Sequence, residues 1–259
     1  MAKTGKTQDV SIDVLEIQTG RMEVCVLGRT PLILNRMSQK ARGQLLLPRA
    51  KLSATEKAPN IKHEPMEEFR ASPYMDASPK APTLLLMLGG AFKGALKGVA
   101  TDMPGAAKAQ IGRLTTVEGE YVSLYGVPQL SMAVVRSADM NRTPAIRTRA
   151  IVPHWACRVV VTFVMPLLKE AAVANLLAAA GVMRGVGDWR PEKGSGTFGQ
   201  FELVSQNDPR FLAVLKEGGR KAQEAAMESP ELYDRETTEL FAWYEGEMES
   251  RRTKGTAPK

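Results

Sequence analysis

Apolar runs of strand-like period, separated by stretches of helical period and by proline- or glycine-rich breaks, organise this chain. Met22–Leu27 is a compact apolar run closed by Gly28 and Pro31, which predicts a first strand. Ser38 is placed to cap a short basic helix, and the polar, Lys- and Pro-rich stretch after it predicts a surface insertion. Prolines at 73, 79 and 82 close that irregular stretch; Thr83 is placed to cap a helix reaching about Ala100, and "DMPGAAKAQIGRL" predicts a second, shorter helix. "EYVSLYGVPQLSMAVVRS" has period-two runs around Gly126 and Pro128, predicting two strands or a bulged hairpin. "RSADMNRTPAIRTRAIVPHW" reads as a long basic loop or hairpin. The clearest unit follows: "WACRVVVTFVMP" as strand, "LLKEAAVANLLAAAGVM" as helix and "FGQFELVS" as strand.

Strand, helix, loop and strand at this spacing make half of a ferredoxin-like or RRM-like fold, and the earlier strand with its helices supplies the other half. The predicted architecture is α+β: a ferredoxin-like core, one sheet covered by helices on one face, with long insertions and a C-terminal helical extension. Three regions are expected: a flexible N-terminus at 1–19, a nucleic-acid-binding domain at 20–204, and a helical acidic tail at 205–259. In the tail, Asp208-Pro209 and Ser229-Pro230 are cap-plus-first-turn pairs that predict two helices. The second carries Leu240, Phe241, Trp243 and Tyr244 among seven acidic residues between Glu231 and Glu249, so it is expected to dock on the basic body. Gly218-Gly219 and the polar run to Ser229 read as a tether long enough to reach a neighbouring copy.

Composition sharpens the functional side. With 44% apolar residues the chain can bury a sizeable core. The net charge of +7 is uneven: residues 205–259 hold nine basic against eleven acidic groups, leaving 26 against 17 before them. A basic body is the footprint of a phosphate-bearing partner. The N-terminus has no apolar leader and no stretch is long and apolar enough to span a bilayer, so no membrane is involved and a cytoplasmic location is expected. Cys25 and Cys157, each inside an apolar run, read as reduced core residues. His63 and His154 are the only histidines. With no phosphate loop, metal-ligand cluster or nucleophile elbow, no catalytic residue, metal or cofactor is expected, and the chain reads as a non-enzyme.

Basic and aromatic residues concentrate in three places. Arg136, Arg142, Arg147 and Arg149 lie in fourteen residues opposed only by Asp139, a density that suits phosphate contact. Arg36, Lys40 and Arg42 form a second basic group. The third is "RGVGDWRPEKGSGTFGQFELV" (184–204), a connection longer than a plain helix-to-strand loop needs. Here Trp189 and Phe198 can stack on bases while Arg190 and Lys193 neutralise phosphates and the glycines admit a backbone. The competing account is structural: the aromatics plug the core, and Arg190 pairs with Asp188 or Glu192.

"GRTPLILNRMSQKA" (28–41) and "GVGDWRPEKGSGTFGQFEL" (185–203) resemble a widespread bacteriophage protein family with a TPLI-type start and a GDWRPEKGG-type, FGRF-like end. The match brackets most of residues 28–204 and leaves the tail uncovered. The glycine-rich loop before a final strand is also similar to that of RAMP-type subunits, which are ferredoxin-like and polymerise along guide RNA in CRISPR complexes; Trp189-Arg190-Pro191 and Lys193 depart from that pattern. The first resemblance implies a phage context, with the host cytoplasm as location. The expected function is single-stranded nucleic-acid binding, ssDNA foremost, by a replication or recombination accessory protein that forms homo-oligomers along the strand. The alternatives are an RNA-binding CRISPR-backbone-like subunit, an interaction protein docking an acidic partner, and a nuclease built around Asp139.

Overall fold

The structure, a computed structural model, describes residues 15–36, 63–136, 144–193 and 196–255. Among them the chain is mixed α+β, with seven helices and three antiparallel sheets. In chain order the elements are β1 (Gln18–Gly28), β2 (Leu32–Ile33), α1 (Pro65–Ala71), β3 (Tyr74–Met75), β4 (Leu85–Leu88), α2 (Gly89–Val99) and α3 (Lys108–Leu114). Then come β5 (Thr115–Val117), β6 (Tyr121–Ser123), β7 (Gln129–Arg136), β8 (Pro144–Val152), β9 (Ala156–Met165), α4 (Glu170–Met183) and β10 (Phe201–Val204). Helices α5 (Pro209–Glu217), α6 (Arg220–Glu228) and α7 (Arg235–Gly255) end the described chain.

The central sheet has the order β10-β1-β9-β5, with every neighbouring pair antiparallel. Strict alternation decides what each face buries. Val24 and Val26 of β1, Cys157, Val159, Val161 and Phe163 of β9, and Phe201 of β10 point into the main core. There they meet Phe92, Leu96 and Val99 of α2 and Val173, Leu177 and Ala180 of α4. Cys25, Leu27 and Ala156 face the other way, onto Phe211 of α5. Both faces are therefore covered at this end of the sheet, where helices on one face were expected. Fully buried Trp155 ties the centre together: its indole Nε1 donates to the Thr30 carbonyl at 2.9 Å, and its ring packs edge-on to Phe201 at 6.3 Å.

The expected helix from Thr83 is corrected. Leu85–Leu88 is a strand, held between β3 and β6, and the helix begins only at Gly89. Thr83 is buried and donates to the Leu85 carbonyl at 3.0 Å instead of capping. The run around Gly126 does give two strands, but β6 joins β4 while β7 pairs with β8, so the two belong to different sheets. The arginine-rich segment is the β7–β8 hairpin, whose tip at 137–143 lies outside the described residues, as does the basic helix expected after Ser38.

The tail packs on its own chain. Asp208 caps α5 as expected, its carboxylate accepting from the amides of Arg210 at 2.8 Å and Phe211 at 3.4 Å. The polar run read as a tether is helix α6, and Ser229 ends it instead of starting the next helix. Gln223 of α6 is buried and joins that helix to the strands: Oε1 accepts from the amides of Leu84 (2.7 Å) and Leu85 (3.0 Å). Its Nε2 donates to the carbonyls of Leu124 (2.8 Å), Gly126 (3.0 Å) and Gly218 (2.9 Å). Helix α7 lies along β7, where the Thr237 hydroxyl accepts from the Met132 amide at 3.1 Å and Leu240 and Phe241 reach the main core; Trp243 stays 66% exposed. No helix among the described residues is long and apolar enough to cross a membrane.

Candidate nucleic-acid interface

The loop between α4 and β10 is a folded unit. The amides of Asp188 and Gly199 donate to the carbonyls of Ile33 (3.0 Å) and Pro31 (2.8 Å), stitching it to β2, and Val186 N donates to Gly199 O at 2.9 Å across its own base. Gly185, Gly187 and Gly199 sit at φ of 64°, 79° and 70°, where side chains are strained. A Cβ at Gly199 would run into the Val186 carbonyl, and one at Gly196 into the Trp189 carbonyl. These glycines let the limbs of the loop lie against each other.

What that close packing presents is aromatic. Trp189 is a non-glycine residue at φ 49°, a left-handed conformation that costs about 1–2 kcal/mol. Its ring stacks on Phe198 with centroids 6.3 Å apart and planes within 7°, yet it remains 46% exposed. Neither aromatic belongs to the fully buried core.

The cations divide into two groups. Arg190 serves the loop: Nε and Nη2 donate to Glu192 Oε2 at 3.0 and 2.7 Å, and Nη1 to the Gly187 carbonyl at 2.9 Å. Of the two structural partners weighed from sequence, Glu192 is the one it takes. Arg149 is ion-paired with Asp188, which also accepts from Asn35 Nδ2 at 3.1 Å. Burial pulls the Arg149 guanidinium below its ordinary pKa, opposed by the Asp188 charge. Arg184 pairs with Asp102 and donates to Thr101 Oγ1 at 2.9 Å. By contrast Arg147, on β8, and Lys193, in the loop, are exposed. Arg36 is half-buried, its guanidinium 5.3 Å above the Tyr74 ring, which in turn lies 5.6 Å from Tyr121. Arg136 ends β7, with its side chain outside the described part. Lys40, Arg42, Asp139 and Arg142 fall outside the described residues altogether.

A cleft of about 450 Å³ opens where the glycine loop faces β3, β4 and the first turns of α2. Sequence reasoning did not anticipate it. Its signal was the spacing of Gly90 and Gly94 one helical turn apart in "GGAFKGALKG", each costing about 1 kcal/mol against alanine. Neither has any atom within 4 Å of where a Cβ would stand, so the protein's own packing does not demand them.

Among the described residues no cluster of three or more His, Cys, Asp or Glu is placed to hold a metal ion. His63 Nδ1 lies 2.9 Å from Glu68 Oε1. Cys25 and Cys157 are buried free thiols on opposite faces of the central sheet, both pushed to higher pKa chiefly by burial. No protein-family model and no curated protein matches the chain.

Proposed function

We propose that this chain is a non-enzymatic binder of single-stranded nucleic acid, ssDNA by preference, built on a ferredoxin-like core. The order β10-β1-β9-β5, with α2 and α4 in the two crossovers on one face, supports the core reading: it places the fourth, first, third and second strands of a β-α-β-β-α-β unit side by side. The observation that carries the functional reading is the Trp189–Phe198 stack. A half-exposed tryptophan held at positive φ, against a phenylalanine that extends its π surface, is a strained arrangement whose use is contact with another flat ring. Arg147 and Lys193 supply exposed positive charge for phosphates, and Arg36 on Tyr74 a guanidinium plane of the kind that bases stack on. Arg149 and Arg190 act indirectly, by fixing the loop. The resemblance to the phage family supports a phage context, with the host cytoplasm as location; in that context the binder serves as a replication or recombination accessory and forms homo-oligomers along the strand.

The test is a titration of equal-length ssDNA, duplex DNA and RNA oligonucleotides at several salt concentrations. Affinity for ssDNA falls with a log–log slope of about 0.7 per phosphate neutralised, and the Arg147→Ala/Lys193→Ala double variant shows a shallower slope at unchanged melting temperature. A flat salt response or a preference for duplex overturns the reading; a preference for RNA moves it to the CRISPR-backbone-like alternative.

A further inference from the structure

The cleft beside the glycine loop has a chemistry distinct from that of the exposed cations. Its volume of about 450 Å³ lies within the range of small-ligand sites. Its charged lining groups are already matched: Asp188 to Arg149, and Glu192 to Arg190 at 2.7 Å. An anion gains no net attraction there. A neutral planar group with amino and carbonyl edges does fit: Asn35 donates one amide N–H to Asp188 at 3.1 Å and has a second N–H and a carbonyl to offer, each carboxylate has lone pairs beyond those its arginine takes, and Tyr74 supplies a ring wall. Gly90 and Gly94 leave the opposite wall free of side chains.

We infer that this cleft receives one nucleobase of the bound strand, splayed out of the stack while its phosphates stay on the basic surface. The inference rests on the single-strand reading above and names a base pocket within it. It gives a use to two helical glycines at positions where alanine or leucine would fit and would strengthen the helix.

Gly94→Leu fills the cleft from a position with open space, so it is expected to fold and to melt a few degrees higher. Gly90→Leu is the second variant, entering from the next turn. Wild type and both variants are titrated with an oligodeoxynucleotide and with a fully abasic strand of the same length, which keeps the phosphates and removes every base. The expected result is an about ten-fold weaker affinity of each variant for the base-bearing strand, with the abasic strand bound as by wild type. If both variants bind both strands as wild type does, the cleft holds no base and the inference is overturned while the single-strand reading stands. If wild type binds neither strand, the reading itself fails and this inference with it.

Discussion

Replacing Gln223 by leucine tests whether the C-terminal helices are part of the core. The side chain is buried and meets five main-chain groups of β4, its approach, the β6–β7 connection and the α5–α6 turn: Oε1 accepts twice, and the two Nε2 hydrogens are shared among three carbonyls. Leucine matches its bulk and makes none of these bonds. The Gly218 carbonyl still accepts from Gly126 N at 2.9 Å, so that bond is the least missed. The amides of Leu84 and Leu85 lose their acceptor, the Leu85 bond being buried and the Leu84 bond part-buried. An orphaned buried group costs about 1–3 kcal/mol, so the Leu85 donor alone sets an expected loss of that size, to which the part-buried Leu84 donor adds. Against a total stability of about 5–15 kcal/mol, that is a large fraction. Equilibrium urea unfolding, followed by tryptophan emission, measures it as a fall in midpoint. Gln223→Glu refines the test: one oxygen still serves the two amides, while the other faces carbonyls and needs a proton. Its carboxyl is therefore raised in the folded state, and the variant's stability is fullest below about pH 4.3 and lost as pH rises. A Gln223→Leu protein within 1 kcal/mol of wild type would refute the claim that α6 is joined to the strands through this residue.

Two further outcomes are expected. Trp189→Gly relieves the positive φ and removes the stack, so thermal stability is unchanged or slightly higher while affinity for single strands drops by about 1–3 kcal/mol; a lost fold with no separate binding defect would assign the indole to structure instead. Because burial raises the Cys157 thiol, stability is level below about pH 8.5 and declines above it, as the unfolded thiol ionises and the buried one keeps its proton. Cys157→Ala flattens that decline, and identical pH–stability curves for the two proteins would contradict the account.

Legibility in the sequence followed the physics of each signal. β1, β9, α4 and β10 were plain because alternation or an alanine-rich helical period is set locally, as was the Asp208-Pro209 cap. Leu84–Leu88 misled because a continuous apolar run abutting a helix has no period of its own; its strand character comes from β3 and β6 on either side. Helix α6 reads as a tether in the sequence because its inward contacts are Gln223, Ala226 and Met227, and a buried glutamine leaves no hydrophobic trace. The basic and aromatic character of the candidate interface was visible, but its division was not. Arg149 looks like Arg147 until Asp188 is brought beside it from a separate part of the chain, whereas the pairing of Arg190 with Glu192, two residues away, is open to the sequence as the structural alternative. The cleft shows in the sequence only as the spacing of Gly90 and Gly94, because its other walls come from distant segments.

The central sheet also constrains how the molecule is made. The neighbours of Val24 and Cys25 on β1 are Val159 on β9 and Val204 on β10, so the first of the described strands waits for the last two of them. Non-local pairing of this kind folds slowly and leaves apolar strand edges exposed meanwhile. The β7–β8 hairpin closes between near neighbours in sequence and can form early. Nascent chains halted before β10 therefore carry "VCVLG" with one edge unpaired, the kind of exposed strand edge on which chains associate.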